Sequence, residues 1–486
     1  MPEKGVAGKG GGSRARRGER QAPGSSVPVA DGGGGNAGVA WRILRCMHPT
    51  RPGMDLHQQP ATTALVVAAE TSHRMRSPQP TVLRRVGGIT LLERTVQVLA
   101  EAGVKRIVVV VGYRGEDVTA AARDHNLPVE LVANDDWEKG TSTSVVAGLR
   151  LVEDPRCLVV MGDHVFEADD VRRLMVTPGR NVLAVDRDPR RQVGGLGGVP
   201  PTRVKTTPGG RMLELAADLE DYGAVDAGLS AIQVADVLSA AGAAPATSWV
   251  ALRQRILEDG CEMTTCDFDG LWAAVDTPAG VRALERVMWR RYGPKPTDGV
   301  IARTVNRRIS GPMTRQLLRT GITPDTATVL AFVATLVAAG LIAIGDRWAM
   351  LAGGLGVVLG SALDGVDGEL ARVSGRASRR GAALDTLLDR YADLAVVLGL
   401  LMGAGATRSA WAWGFAAASG CLLVSYLHAI ARDTDVRLLF RREFRLLIFA
   451  AAAIIGQPMW GLAAVAVAAN LDVVRGVVLL LRAMRS

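Results

Sequence analysis

From about Ile322 onward the chain changes character, and that change limits its possible folds more than any other feature. Ala, Leu, Val and Gly dominate there with scattered charge, whereas the middle of the chain has an ordinary soluble mixture. Inside hydrocarbon a helix satisfies its own backbone, so apolar runs of about 20 residues read as membrane spans. Six are predicted, at about 324–344, 348–370, 382–404, 409–430, 444–456 and 458–481. Thr323-Pro324 opens the first with a hydroxyl N-cap and Pro at the first helical position. The fifth is short, and FRREFR is expected to extend its lower end. Gly353, Gly354, Gly356 and Gly360 predict close helix packing in the second.

Loop charge predicts the orientation. Arg376, Arg379 and Arg380 follow the second span, and Arg432, Arg437, Arg441 and Arg442 follow the fourth; the alternate loops carry little beyond Arg347 and Arg408. The excess of positive charge on the inner side places the preceding soluble domain and the C-terminus in the cytoplasm of a multi-pass protein of the cell membrane. The net charge of +9 sits largely in the first twenty or so residues and beside the apolar runs. It suits anionic lipid headgroups, with no basic, aromatic-interleaved surface for nucleic acid. Cys46, Cys157, Cys261, Cys266 and Cys421 form no CxxC pair, which predicts reduced thiols rather than a disulfide framework or zinc site.

Residues 1–60 are rich in Gly, Arg, Pro and Ser with no periodic apolar pattern, and are expected to be a disordered tail; Met54 is a candidate alternative start. From Thr63, apolar runs (TALVVAA, RIVVVVGY, VELVAN, CLVVMGD) alternate with helical patterns such as GGITLLERTVQVLAEAG. This predicts a doubly wound α/β domain over 62–289. A basic juxtamembrane connector, 290–321, leads to an all-α membrane domain over 322–486.

The charges that stand out lie in LDGVDGELARVSGRASRRGAALDTLLDR. Asp364 and Asp367 are three apart and Asp385 and Asp389 four apart, so each pair shares a helix face. Four carboxylates at the ends of adjacent membrane helices are costly unless cations neutralise them, and hard divalent ions suit carboxylate oxygens. Between the pairs, Gly368, Ala371 and Gly381 permit close approach of a nucleotide, and Arg372 can meet a phosphate. Asp393 continues the carboxylate face one turn deeper and could support the metal ligands, but is expected rather to pair with Arg390; Arg442 and Arg445 are candidates for an acceptor phosphate or for juxtamembrane anchoring. His428 is expected to be packed or interfacial rather than a ligand.

The order D-x2-D-G-x2-A-R-x8-G-x3-D-x3-D resembles the signature of the CDP-alcohol phosphatidyltransferase family at every defined position, within a likeness over about 295–486. The resemblance implies that Asp364, Asp367, Asp385 and Asp389 bind two divalent ions, Mg²⁺ or Mn²⁺, and that Asp389 takes the proton from the attacking hydroxyl. It implies that Gly368, Ala371, Arg372 and Gly381 line the CDP site. The reaction implied joins a CDP-alcohol donor to an alcohol acceptor, a lipid or polyol phosphate, with release of CMP, in phospholipid or inositol-phosphodiester synthesis. A homodimer through the membrane helices is also implied.

The soluble domain resembles sugar-phosphate nucleotidyltransferases, closest to the inositol-1-phosphate cytidylyltransferase half of enzymes that also carry such a membrane half. VVAA followed by Arg74, NDDWEKGTSTS, VVMGDHVF and WAAVDTPAG carry the likeness. It implies a metal site of Asp163 and Asp276, a base-binding loop with Gly140 and Ser144, and a substrate contact for His164. Three phosphate-handling features depart from the family. Glu70 and Ser72 stand for the two glycines of the phosphate loop, Thr81 for the lysine in Pro80-Thr81-Val82-Leu83, and Ala217 for a second lysine. The domain is therefore expected to be degenerate. The alternatives are a bifunctional enzyme that makes its own CDP-inositol from CTP and inositol 1-phosphate, and a non-catalytic membrane scaffold.

Overall fold

The computed structural model describes residues 60–70, 75–188, 201–243, 246–293, 307–431, 434 and 436–483. Most of the expected tail with Cys46 and Met54, residues 294–306 of the connector, and Ser72, Arg74 and Arg432 lie outside them.

Among the described residues, the main sheet of the soluble domain has nine strands: β1 (Thr63–Ala68), β2 (Arg106–Val111), β3 (Glu130–Ala133), β4 (Arg156–Met161), β5 (Asn181–Asp186), β6 (Arg203–Thr206), β7 (Met212–Ala216), β8 (Ala224–Gln233) and β9 (Met263–Asp267). They pair in the order β7-β6-β8-β4-β1-β2-β3, and β5 joins β8 to β9. β1 is buried throughout and runs parallel to β2 and β4, in register Val66↔Val109 and Val66↔Val160, as expected of an apolar run covered on both faces. The sheet is mixed, because the long β8 runs antiparallel to β4, β5 and β6. Helices α1 (Leu91–Ala102), α2 (Gly115–Asp124), α3 (Thr141–Leu149), α4 (Ala168–Val176), α5 (Val234–Ala243) and α6 (Trp249–Glu258) accompany the strands. α1 starts on a full capping box, in which Thr90 and Glu93 satisfy each other's backbone N–H. α7 (Pro278–Tyr292) closes the domain, capped by Thr277 with Pro at its first position.

Among the described residues, the regular elements of the C-terminal region are all helices: α8 (Arg307–Thr320), α9 (Pro324–Ala343), α10 (Arg347–Ser374), α11 (Arg379–Gly403), α12 (Arg408–Ile430), α13 (Arg442–Ile455) and α14 (Pro458–Ala483). α9 begins on the expected Thr323 cap. α9, α10, α12 and α14 are long and apolar enough to cross a membrane. The other two of the six expected spans differ for physical reasons. α11 carries Arg379, Arg380, Asp385, Asp389, Arg390 and Asp393, and α13 has only 14 residues. Exposed apolar side chains such as Leu330, Val337, Phe415 and Trp460 cover the outward faces, as contact with lipid requires.

The glycines of α10 lie against neighbouring backbones. A Cβ on Gly353 would stand 2.6 Å from the Ala338 carbonyl oxygen, and one on Gly354 2.8 Å from that of Ala450. A Cβ on Gly356 would reach the Ala338 side chain at 2.8 Å, and one on Gly360 would collide with the Thr335 hydroxyl. These contacts fix α10 between α9 and α13.

Candidate active site

Asp364 projects from α10 and Asp385 and Asp389 from α11; one carboxylate oxygen of each lies within 4.8 Å of the others. The three are neither buried nor fully exposed. The turn that brings the two helices together depends on Gly375, whose φ of 72° ends α10 in the left-handed region, and on Ser378, which caps α11 at Gly381 N–H (2.9 Å). The triad could hold a divalent cation, since an all-oxygen, anionic set matches a hard ion.

Asp367, the fourth expected ligand, is engaged otherwise. Its Oδ2 accepts from the Thr328 hydroxyl at 2.5 Å and its Oδ1 from the Gly368 N–H. Arg442 enters from α13: Nη1 lies 2.8 Å from both Asp364 and Asp389, and Nε 3.0 Å from Asp393. Arg445 is 2% exposed, 3.1 Å from Asp393 and 3.1 Å from the Cys421 carbonyl. Arg390 pairs with Asp393 as expected, at 3.9 Å, while also donating to Ser425; the closer partners of Asp393 are the two arginines of α13. Of the two arginines expected at an acceptor phosphate, Arg442 borders the carboxylates while Arg445 is sealed within the bundle.

The expected CDP-site residues spread along the α10–α11 turn. Arg372 donates to the last carbonyls of α7, Tyr292 at 2.9 Å and Gly293 at 2.6 Å. A Cβ on Gly381 would stand 3.1 Å from Asp325 Oδ1 and 3.2 Å from the Ser378 hydroxyl, so those side chains would have to give way slightly to a larger residue. Gly368 and Ala371 are partly buried on α10. His428 is exposed on α12. Cys157, Cys261, Cys266 and Cys421 are all buried. The sequence reading overlooked Glu369, which is fully buried and accepts from Ser310 at 2.9 Å and Thr314 at 2.6 Å, tying α8 to α10. It also overlooked Glu93, Arg94 and Arg376. Arg376 reaches Glu93 at 2.6 Å, and Arg94 donates to the Val373 carbonyl at 3.1 Å. The capping-box spelling at Thr90 marked Glu93 as a helix start, but nothing local pointed to its distant partner.

In the soluble domain Asp163 lies 2.6 Å from His164 Nδ1. Desolvation opposes charge on both groups, yet their attraction and hydrogen bond hold Asp163 below and His164 above their ordinary ranges. β8 passes against the imidazole through Gly228, at φ 79°, where a Cβ would meet the ring at 2.5 Å. A two-residue ribbon pairs Ala274 with His164, and the Val275 N–H donates to the Asp163 carbonyl, which brings the Asp276 segment beside Asp163. Asn134 donates to Ser144 at 2.9 Å, and Gly140 packs on the Thr247 carbonyl. Glu70 accepts from the Thr141 hydroxyl at the start of α3. Burial pushes its carboxyl above the ordinary range; the Thr141 hydrogen bond opposes this and the Asp163 charge adds to it. Thr81 is buried and Ala217 exposed.

A carboxylate triad within a helical membrane region, behind an α/β nucleotidyltransferase-like domain, defines a membrane-bound transferase of CDP-activated alcohols. The family model described as CDP-alcohol phosphatidyltransferase matches residues 321–478, and that described as MobA-like NTP transferase domain matches residues 64–256. The chain is 39% identical over 433 residues to the "Bifunctional IPC transferase and DIPP synthase" of Rubrobacter xylanophilus, covering 86% of this chain and 96% of that protein. The protein of the same name in Aquifex aeolicus is 31% identical, covering 75% and 82%. The "Phosphatidylinositol phosphate synthase" of Mycobacteroides abscessus is 35% identical over 168 residues, 32% of this chain and 73% of that one. The chain belongs to the family of bifunctional IPC transferases and DIPP synthases. It is a membrane transferase that moves a phospho-alcohol from a CDP-alcohol to an acceptor hydroxyl and releases CMP.

Proposed function

We propose that the donor is CDP-inositol and the acceptor an inositol phosphate, with a phospholipid synthase using CDP-diacylglycerol as the nearby variant. The observation that carries this reading is the union of the carboxylate triad with the nucleotidyltransferase-like domain, a pairing that spans 96% of the Rubrobacter relative. Asp364, Asp385 and Asp389 would hold divalent ions, Mg²⁺ or Mn²⁺, with Asp367 joining when it leaves Thr328. A bound ion would neutralise phosphate charge and orient the reacting oxygens. Asp389 accepts the proton of the acceptor hydroxyl. The hydroxyl oxygen forms a bond to the β-phosphorus, the bond between that phosphorus and the bridging oxygen breaks, and CMP leaves with the electron pair. Arg372, Gly368, Ala371 and Gly381 line the CDP side, and Arg442 guides acceptor phosphate as it exchanges carboxylate partners.

The residue assignments, the domain limits 62–289 and 322–486, six spans, a homodimer, and a cytoplasmic soluble domain and C-terminus all belong to this reading. Loop arginines support the orientation. The chain receives its donor ready-made because the soluble domain is degenerate: the Glu70 carboxylate takes a position where the family has a phosphate-binding glycine. The second reading, a domain that makes CDP-inositol itself, is favoured by the retained Asp163, His164 and Asp276. The deciding experiment offers membranes labelled CDP-inositol and labelled CDP-diacylglycerol in parallel. Transfer of label from CDP-inositol is expected; transfer from CDP-diacylglycerol alone overturns the polyol assignment.

A further inference from the structure

We infer that the soluble domain is a clamp on the α10–α11 turn, which presets the donor site of the membrane helices through Glu93, Arg94 and the C-terminus of α7. This rests on the assignment of Arg372 and its neighbours to the CDP side of the site. The turn is short and carries the geometry of both carboxylate helices, so whatever holds it sets the distance between Asp364 and the Asp385–Asp389 pair. It is held from outside the membrane region at three points.

Arg376 Nη2 meets Glu93 Oε1 at 2.6 Å. Arg94 Nη2 bridges the Val86 carbonyl at 2.9 Å and the Val373 carbonyl at 3.1 Å, satisfying one of the orphan oxygens at the end of α10. Arg372 caps α7 in the reverse sense, with its guanidinium on the carbonyls of Tyr292 and Gly293. Each support is itself fixed. Glu93 Oε2 is committed to the Thr90 N–H at 2.8 Å, which leaves Oε1 for Arg376 and, at 3.3 Å, His125 Nδ1. Glu167, just before α4, pairs with Arg291 at 2.9 Å and accepts from the Tyr292 hydroxyl, anchoring the end of α7.

A domain whose only purpose was solubility would not need two buried charged groups, Glu93 and Arg94, on this surface. Both serve the same turn. The opposite end of α7 begins beside Asp276, so the helix spans from the nucleotidyltransferase-like site to Arg372.

The probe is CMP, titrated calorimetrically into detergent-solubilised full chain with Mg²⁺, with the unfolding midpoint recorded for each protein. In Arg376→Ala the CMP Kd is expected to rise about five- to tenfold, the scale of a modest coupling between sites, and Arg376→Lys to recover most of the loss. Glu93→Gln, which removes the charge from the far side of the contact, is expected to give the same rise, and carries the test alone if Arg376→Ala does not fold. Wild-type affinity in Glu93→Gln, with or without a lowered midpoint, overturns the clamp. So does a loss in Arg376→Ala that Glu93→Gln fails to share, because Arg376 would then touch nucleotide itself. If the wild-type chain binds no CMP, the site assignment falls and the clamp with it.

Discussion

Asp389 carries the heaviest chemical assignment, and it sits where one side chain can be changed without dismantling its surroundings. Arg442 would keep Asp364 and Asp393 as partners in Asp389→Asn. CMP release by that variant is expected to fall about 10²- to 10⁴-fold, the contribution of a positioned general base, while its helical circular dichroism stays that of the wild type. Full activity would remove Asp389 from the role. The carboxylates were legible in the sequence because their function needs fixed local spacing on two helices joined by a short turn. Arg442 was legible as a basic residue near the site, but its destination was not, since it depends on how α13 packs on α10. Glu93 and Arg376, 283 positions apart, illustrate the same limit: neither carries a local mark of the other.

At the scale of elements, the ranges of α9 to α14 were readable to within a few residues because caps and apolar runs are local. The antiparallel course of β8 was not, since a buried apolar strand has no direction in its sequence. The glycines of α10 yield a prediction of packing. Gly354→Leu would drive a side chain into Ile454 and the Ala450 carbonyl. A net loss of roughly 1–3 kcal/mol is expected from such overpacking, even against the roughly 1 kcal/mol of helix propensity that glycine forgoes. Thermal unfolding in detergent would measure it. The start of α1 yields another. Burial opposes charge on Glu93, but hydrogen bonds from Thr90 and the charges of His125 and Arg376 hold its carboxyl below the ordinary range. A lowered carboxylate stabilises the fold fully above its unfolded value of about 4.3, and the contribution is lost as pH falls through the folded value. The gap in unfolding midpoint between wild type and Glu93→Gln should therefore close in acid; a gap unchanged down to pH 3 or so would contradict this.

For the whole molecule, the question is whether two catalytic domains or one are at work. Glu70 and the missing lysines at Thr81 and Ala217 remove positive and permissive features while the acidic pair Asp163 and Asp276 stays. Full-length protein given CTP, Mg²⁺ and inositol 1-phosphate is expected to release no pyrophosphate, and clear turnover would restore the second activity. The family was legible from the membrane motif and the soluble-domain segments together, whereas the contacts between the two domains join segments too distant in sequence to be read from it. α13 has a consequence of a different kind. Its 14 residues rise about 21 Å, well short of a hydrocarbon layer of about 30 Å. In the proposed six-span topology, lipids beside α13 would have to shorten or tilt, which would put Arg442, at its start, at the floor of a dimple in the leaflet. Water could then follow the arginine inward, and a polar acceptor would reach the carboxylates by descending into a thinned patch of bilayer, with no need for them to rise to meet it.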